Sequence, residues 1–287
     1  MPPPEPWHLT ALGTAWVVEA AAGVDEGTRA AVLDRIAAFD AVWSRFRPDS
    51  VVAEMGTRAG RWDLPPEADA LLSLYGVLHD LTEGAVSPLV GDRLDDLGYG
   101  AGYALQPVAA PRPVPAWSDV TWERPALVTS RPVGLDVGAA AKGLLADLVA
   151  DIVQERCGPC VVDASGDLVH RGTGPLRVAL EHPHDPSRAV GVVTLRPGQA
   201  LCASAVNRRA WGPGLHHVLD ARTGEPTQDV VATWVVAPAG LLADGAATAA
   251  FFAEPDHLEA SLGVAVARWR GIGTLEWSGS WEGEMFR

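Results

Sequence analysis

Cysteine is scarce: three in 287 residues, an odd number that describes no disulfide framework and points to a reducing compartment. Lysine is scarcer still, because Lys142 is the only one and arginine supplies every other basic side chain. Positive charge as a whole runs short. Twenty-two Lys and Arg against 36 Asp and Glu leave a formal charge of -14, a field that repels polyanions and argues against a generic nucleic-acid or anionic-membrane binder. Long hydrophobic runs are missing too: Val230 to Ala243 is too short to span a bilayer and is broken by Pro238 and Gly240. Met1 to Pro6 has no basic region, no apolar stretch and no cysteine for a lipid, so no secretory signal is read and a soluble cytoplasmic protein is expected.

What is present suits one large folded domain. Hydrophobic residues make up 48% and charged residues 20%, which excludes bulk disorder, while 30 Gly and 23 Pro imply many turns. Residues 1–8 read as irregular, and Leu12 to Glu19 as a strand entered through Gly13. A helix is predicted from about Thr28 to Trp43, with Val32, Ile36, Phe39 and Trp43 on one face, followed by a loop over Arg45 to Ser50. Another is predicted over Pro66 to Glu83, closed by Gly84. The Pro-, Gly- and Trp-rich stretch from Gly98 to Arg131 suits two or three short strands and is the best internal boundary. Ala139 to Arg156 is the clearest helix, stopped by Gly158-Pro159. Strands follow at Val161 to Val162, Leu176 to Leu180, Gly191 to Leu195 and Val230 to Val236, with a loop over Ser204 to Gly214 and a helix starting near Asp244. An α+β fold of interleaved halves fits this order.

Several constellations bear chemistry, each with a plainer reading beside it. Lys142 lies at the start of the clearest helix within Gly134-Leu-Asp136-Val-Gly138-Ala-Ala-Ala141-Lys142-Gly143. Small residues, first-turn N–H groups and the helix dipole there favour an anion; alternatively Asp136 caps, the alanines pack and Lys142 is solvated. Asp244 and Thr248 stand four apart on one helix face with Cβ atoms about 5 to 6 Å apart, so their two hard oxygens could share one Mg²⁺; alternatively the dipole favours the acid and the hydroxyl bonds a carbonyl. His217-Val-Leu-Asp220-Ala-Arg222-Thr223-Gly224 joins a proton acceptor to a carboxylate in a segment that also reads as a turn. Asp163-Ala-Ser165-Gly166-Asp167 is a second acidic turn. Cys157-Gly-Pro-Cys160 follows a helix where a redox dithiol would open one, and His182-Pro-His184-Asp185 has no nearby partner, so both are read as loops.

Taken in order, these segments resemble the ApbE family of flavin transferases. The resemblance runs from about Leu9 to near Phe252 and also rests on Ala11-Leu-Gly13-Thr14, Ser44-Arg-Phe46-Arg-Pro48-Asp49-Ser50 and Ala243-Asp244-Gly-Ala-Ala-Thr248-Ala249. It implies an ApbE-like, T-fold-related α+β domain over residues 9–287. It implies an enzyme that binds FAD and Mg²⁺, moves FMN onto a threonine hydroxyl of an acceptor protein and releases AMP. By position, the metal would sit among Asp244, the Thr248 hydroxyl and the Ala141 carbonyl. Lys142, Gly138, Ser87, Ser165, Asp167, Ser204 and Thr223 would contact the dinucleotide, and His217 with Asp220 would handle a proton or touch the pyrophosphate. The chain departs from the family pattern at Ala85-Val86-Ser87-Pro88, Ser165-Gly166-Asp167, Ala203-Ser204-Ala205 and Asp220-Ala221. Hydrolysis of FAD to FMN and AMP, and non-catalytic FAD binding, stay open beside transfer.

Overall fold

Local chemistry decides where the elements start. Leu12 and Gly13 both have positive φ, at 48° and 72°, the turn that closes a two-residue hairpin. That turn joins β1 (Trp7–Ala11) to β2 (Thr14–Ala20), so Trp7 and His8, expected to be irregular, belong to a strand. Asp25 accepts the Thr28 N–H at 2.7 Å and opens α1 (Glu26–Trp43). The computed structural model describes residues 4–271 and 273–286. Next come α2 (Val51–Met55), β3 (Gly60–Asp63), α3 (Ala68–Leu81), α4 (Gly91–Asp96), β4 (Val120–Glu123) and β5 (Ala126–Thr129). The middle of the chain forms α5 (Ala141–Cys157), β6 (Cys160–Asp163), β7 (Asp167–Arg171), β8 (Leu176–His182), β9 (Asp185–Leu195) and β10 (Ala200–Ala205). Short strands follow: β11 (Ala210–Gly212), β12 (Leu215–His216), β13 (Leu219–Asp220) and β14 (Glu225–Pro226). The chain closes with β15 (Val230–Ala237), α6 (Gly240–Ala249), α7 (Pro255–Leu262), β16 (Ala265–Arg270), β17 (Leu275–Trp277) and β18 (Glu284–Met285).

These elements divide into two compact units made of discontinuous segments. The first comprises Met1–Ala37, Ala140–Asn207 and Asp229–Arg287; the second comprises Ala38–Ala139 and Arg208–Gln228. The boundary expected within Gly98 to Arg131 therefore lies elsewhere, and that stretch belongs wholly to the second unit.

The first unit holds an eight-stranded antiparallel sheet in the order β1-β2-β6-β7-β10-β15-β16-β17. One face carries α5 against β6 and β7, and α6 against β10 and β15. The other face packs on the small sheet β18-β9-β8 through Leu180, Val193, Leu195, Leu201, Trp234 and Val236. Because β15 is covered on both sides, it reads as the continuous apolar run Val230 to Val236 rather than as an alternation. On the helix side, Cys202 and Asp167 pair across β10 and β7, and the Thr233 hydroxyl donates to the Ala247 carbonyl of α6 at 2.7 Å.

The second unit contains the antiparallel sheet β3-β5-β4, α2 to α4 and the hairpins β11-β12 and β13-β14. Its α3 is the predicted helix trimmed at both ends, with Leu71, Tyr75 and Leu78 fully buried. No helix among the described residues is long and apolar enough to cross a membrane.

Candidate active site

The helix expected to start near Asp244 starts one turn earlier. α6 begins at Gly240 because Asp147, from α5, accepts the Gly240 and Leu241 N–H groups, both at 2.9 Å. A carboxylate 93 residues upstream thus takes the place of a local cap. Asp244 consequently sits in the helix interior, 7% exposed, where the dipole of the first turn does not account for it. Its Oδ2 accepts the N–H of Gly143, in the first turn of α5, at 2.9 Å. Glycine is required there: a Cβ at Gly143 would meet the Gly240 carbonyl oxygen at 2.2 Å and Asp244 Cβ at 2.6 Å. The two helices therefore touch backbone to backbone. Ala141 opens α5 two residues before Gly143, and Thr248 lies one turn beyond Asp244, half-buried.

Lys142 has a defined environment rather than a solvated one. Its Nζ lies 2.9 Å from Asp167 Oδ2 and donates to the carbonyls of Ala164 at 3.0 Å and Ser165 at 3.3 Å. Those carbonyls belong to the β6–β7 hairpin turn, whose central residues Ser165 and Gly166 have φ of 59° and 102°. The Gly166 N–H donates to Asp163 Oδ1 at 3.1 Å, and Gly166 passes the geometry on to β10 through Ala203 N–H at 2.9 Å. Burial opposes the charge on Lys142, but Asp167 and Asp244 outweigh it and hold its pKa above the ordinary value. Asp167 is 1% exposed, so its part is to hold the ammonium. Ser165 is exposed, and Ser204, on β10 opposite Thr233, is half-buried. Burial, with Asp167 and Asp244, pushes the Cys202 thiol well up, so it stays protonated.

In the second unit, Asp136 is an anchor and not a helix cap. Its Oδ1 accepts Gly138 N–H at 2.7 Å, and its Oδ2 lies 2.5 Å from Arg45 Nε. Arg45 also reaches Asp95 Oδ1 and the Tyr99 carbonyl, each at 2.6 Å, with its guanidinium 4.3 Å from the Phe46 ring centroid. Burial would raise the Asp136 carboxyl, but Arg45 outweighs it and holds it below the usual range. Gly138 itself is exposed. Ser87 is buried and caps a short helical turn, accepting Leu89 N–H at 3.2 Å.

His217 and Asp220 are not joined by a hydrogen bond among the described residues. Asp220 takes Arg222 instead, through the Arg222 N–H and Nε at 2.9 Å and Nη2 at 2.6 Å, and this contact holds its carboxyl below the usual range. Thr223 is exposed in the same β13–β14 turn, accepting Glu225 N–H at 3.2 Å. His217 has its Nδ1 sealed from solvent with no hydrogen-bond partner. Burial first, then the charge of Arg209, brings its pKa down to about 3. The imidazole is therefore neutral at physiological pH and keeps an acceptor nitrogen.

Sequence reasoning missed Asp147 and Arg45. The signal for Asp147 was its place one turn after Gly143, as an acid on a helix otherwise buried around it; Arg45 lay inside the Ser44 to Ser50 segment that carries the resemblance, but nothing there pointed to its partners, 50 and 91 residues away. Among the described residues no group of three or more His, Cys, Asp or Glu could hold a metal. The ligands expected from the resemblance, Asp244, the Thr248 hydroxyl and the Ala141 carbonyl, include one carboxylate and are all hard oxygens, the donor type Mg²⁺ takes.

The family model described as "ApbE family" matches residues 12–266. The FAD:protein FMN transferase of Rhodobacter capsulatus is 32% identical over 223 residues, 72% of this chain but 42% of that protein. The chain thus spans less than half the length of that relative. The FAD:protein FMN transferase of Treponema pallidum (strain Nichols) is 28% identical over 245 residues, covering 73% of this chain and 67% of that one. In fold, the crystal structure of the ApbE protein of Thermotoga maritima superposes with a TM-score of 0.82 at 21% identity, covering 96% of this chain and 97% of that one. The apo flavinyl transferase ApbE of Pseudomonas stutzeri gives 0.81 at 21% identity, covering 96% and 94%. With its matched region extending over most of its length, the chain belongs to the ApbE family.

Proposed function

We propose that this chain is a Mg²⁺-dependent flavin transferase that moves FMN from FAD onto a threonine hydroxyl of an acceptor protein and releases AMP. The observation that carries the reading is the Gly143 N–H to Asp244 bond at 2.9 Å, which sets a buried carboxylate against the small-residue start of α5 in a chain of this family. The relatives' names, FAD:protein FMN transferase, support the same reaction. Three free, buried cysteines suit work where thiols stay reduced, and we place the protein in the cytoplasm.

In the reaction, the acceptor hydroxyl oxygen bonds the FMN phosphorus as the bond from that phosphorus to the bridging oxygen breaks. AMP leaves with that oxygen and its electron pair, and the hydroxyl proton passes to a base. Asp244, Thr248 and the Ala141 carbonyl would hold Mg²⁺, which when bound offsets negative charge on the phosphates. The Gly143 N–H orients the Asp244 carboxylate beforehand, so less reorganisation is left for the reaction. Lys142 has three oxygens around its ammonium, so it acts on the phosphates by its field while fixing the Ser165 turn. Gly138, Ser165 and Thr223, all exposed, and the half-buried Ser204 are dinucleotide contacts; Ser87 and Asp167, buried, shape the backbone around such contacts. His217, neutral and with its pKa lowered to about 3, is too weak a base to take that proton, so its part is contact with the pyrophosphate, and Asp220 with Arg222 fixes the turn that follows it.

The test is product analysis by mass after incubation with FAD, Mg²⁺ and a threonine-bearing acceptor domain. The expected result is an acceptor heavier by FMN together with free AMP. Asp244→Asn, which keeps an acceptor for Gly143 N–H, is expected to slow this at least about 100-fold, the scale of losing one positioned charge at a reacting centre. AMP without acceptor labelling would replace transfer by hydrolysis. FAD that stays bound in chelator and yields no AMP when Mg²⁺ or any other metal ion is supplied would overturn both.

A further inference from the structure

α6 is Gly240-Leu-Leu-Ala-Asp-Gly-Ala-Ala-Thr-Ala249, six of ten residues Gly or Ala. Such a helix has few ridges to lock into a neighbour's grooves. A slip of one residue along it would turn every side chain by about 100°, carrying Asp244 away from α5. Two polar contacts pin the register instead, and they run in opposite directions. Gly143 of α5 donates to Asp244 of α6, while Gly240 and Leu241 of α6 donate to Asp147 of α5, all three at 2.9 Å. Between them the backbones meet at Gly143 and Gly240, where a Cβ on Gly240 would reach the Gly143 carbonyl oxygen at 2.5 Å. Asp147 is itself held, 9% exposed, by Arg171 at 3.4 Å.

We propose that Asp147 is a positioning residue: through both oxygens it fixes the start of α6 and so keeps the Asp244 carboxylate, one turn on, over the first turn of α5. The consequence for metal affinity rests on the reading of Asp244 as a Mg²⁺ ligand; the consequence for the Gly143 amide does not. An ordinary helix cap would add stability without controlling either.

Two readouts separate these cases in the full-length chain: hydrogen exchange at the Gly143 amide, and Mg²⁺ affinity by calorimetry in the presence of FAD. Asp147→Ala is expected to expose the Gly143 amide to faster exchange and to weaken Mg²⁺ binding about 10- to 100-fold, the range for residues that orient a metal ligand. Asp147→Asn, with a single acceptor oxygen, is expected to fall between Ala and the native residue. Leu195→Ala, buried in the layer on the opposite face of the sheet, serves as the control for destabilisation alone and is expected to lower Tm while leaving both readouts in place. If Leu195→Ala, matched in Tm, moved the Gly143 amide and the affinity as far as Asp147→Ala does, or if Asp147→Ala moved neither, the positioning role would be wrong. Absence of Mg²⁺ binding by the native chain would remove Asp244 as a ligand, and the Gly143 amide would still decide the clasp.

Discussion

The single lysine sits where an arginine would serve poorly. Lys142 Nζ has three oxygens within reach, at 2.9, 3.0 and 3.3 Å, converging on one point, and a tetrahedral ammonium has three donors to match. A planar guanidinium spreads its donors along a fork and cannot gather them on so small a cup. The sequence singled this residue out by its rarity and suggested a ligand for it; the partner found in the chain is Asp167, and nothing around Ser165 announces that a carboxylate two residues on will be buried to 1% exposure. Lys142→Met removes that partner and is expected to destabilise the fold by about 3 to 5 kcal/mol at neutral pH, the range for leaving one member of a buried pair behind. Burial already raises the Asp167 pKa, and loss of the lysine raises it further. A carboxyl with a folded-state pKa above its unfolded one loses stability as pH rises through the folded value and regains it toward acid. Urea melts of Lys142→Met should therefore strengthen as pH falls from 8 to 5, relative to the native chain, and adding Asp167→Asn should recover stability at pH 8. A pH-independent deficit would mean the cost is packing alone.

At the scale of elements, α1, α3 and α5 were legible because they are long and carry an apolar face or a stop in the adjoining residues, such as Gly84 and Gly158. The start of α6 was not, because its cap is Asp147, and no window of sequence around Gly240 contains it. β1 escaped for a related reason: the first residues look irregular until Leu12-Gly13 is seen to fold them back on β2. Candidate site residues behaved likewise, since Asp244 and Thr248 were singled out by spacing and the resemblance, while the Gly143 contact that gives Asp244 its orientation depends on two helices meeting. Glycines make the difference measurable. Gly76, inside α3, has nothing within 4 Å of the place a Cβ would occupy, so Gly76→Ala is expected to stabilise by about 0.5 to 1 kcal/mol through helix propensity alone. Gly143→Ala, also helical, drives its Cβ to 2.2 Å from the Gly240 carbonyl oxygen and should instead destabilise, by an amount exceeding that gain. Thermal melts of the two single variants decide it: the same substitution in two helices should shift Tm in opposite directions, and equal shifts would mean α5 and α6 can move apart freely.

At the scale of the whole molecule, the chain passes between its two units at residues 37/38, 139/140, 207/208 and 228/229, and no stretch of sequence marks these passages as linkers. They fall inside or beside regular elements, the first of them within α1. Composition shifts drew attention to Gly98 to Arg131 instead, which only shows that Pro and Gly record local turns and not long-range partnership. The short segment Arg208–Gln228 depends on such partnership. Leu219 from it packs with Leu94, Leu97 and Tyr99, and Arg93, 7% exposed, donates through Nε to the Gly224 carbonyl at 2.6 Å and pairs with Glu225 at 2.5 Å. A fragment of residues 38–139 alone would bury an arginine without its partners and open that cluster to water. It is expected to give no cooperative melt and no fixed near-ultraviolet circular dichroism. Joining residues 208–228 to it through a flexible Gly/Ser linker returns Gly224, Glu225 and Leu219, and a cooperative transition should reappear, weakened again by Arg93→Met. A fragment 38–139 that melted cooperatively by itself, with or without Arg93, would show that the second unit does not need its distant segment.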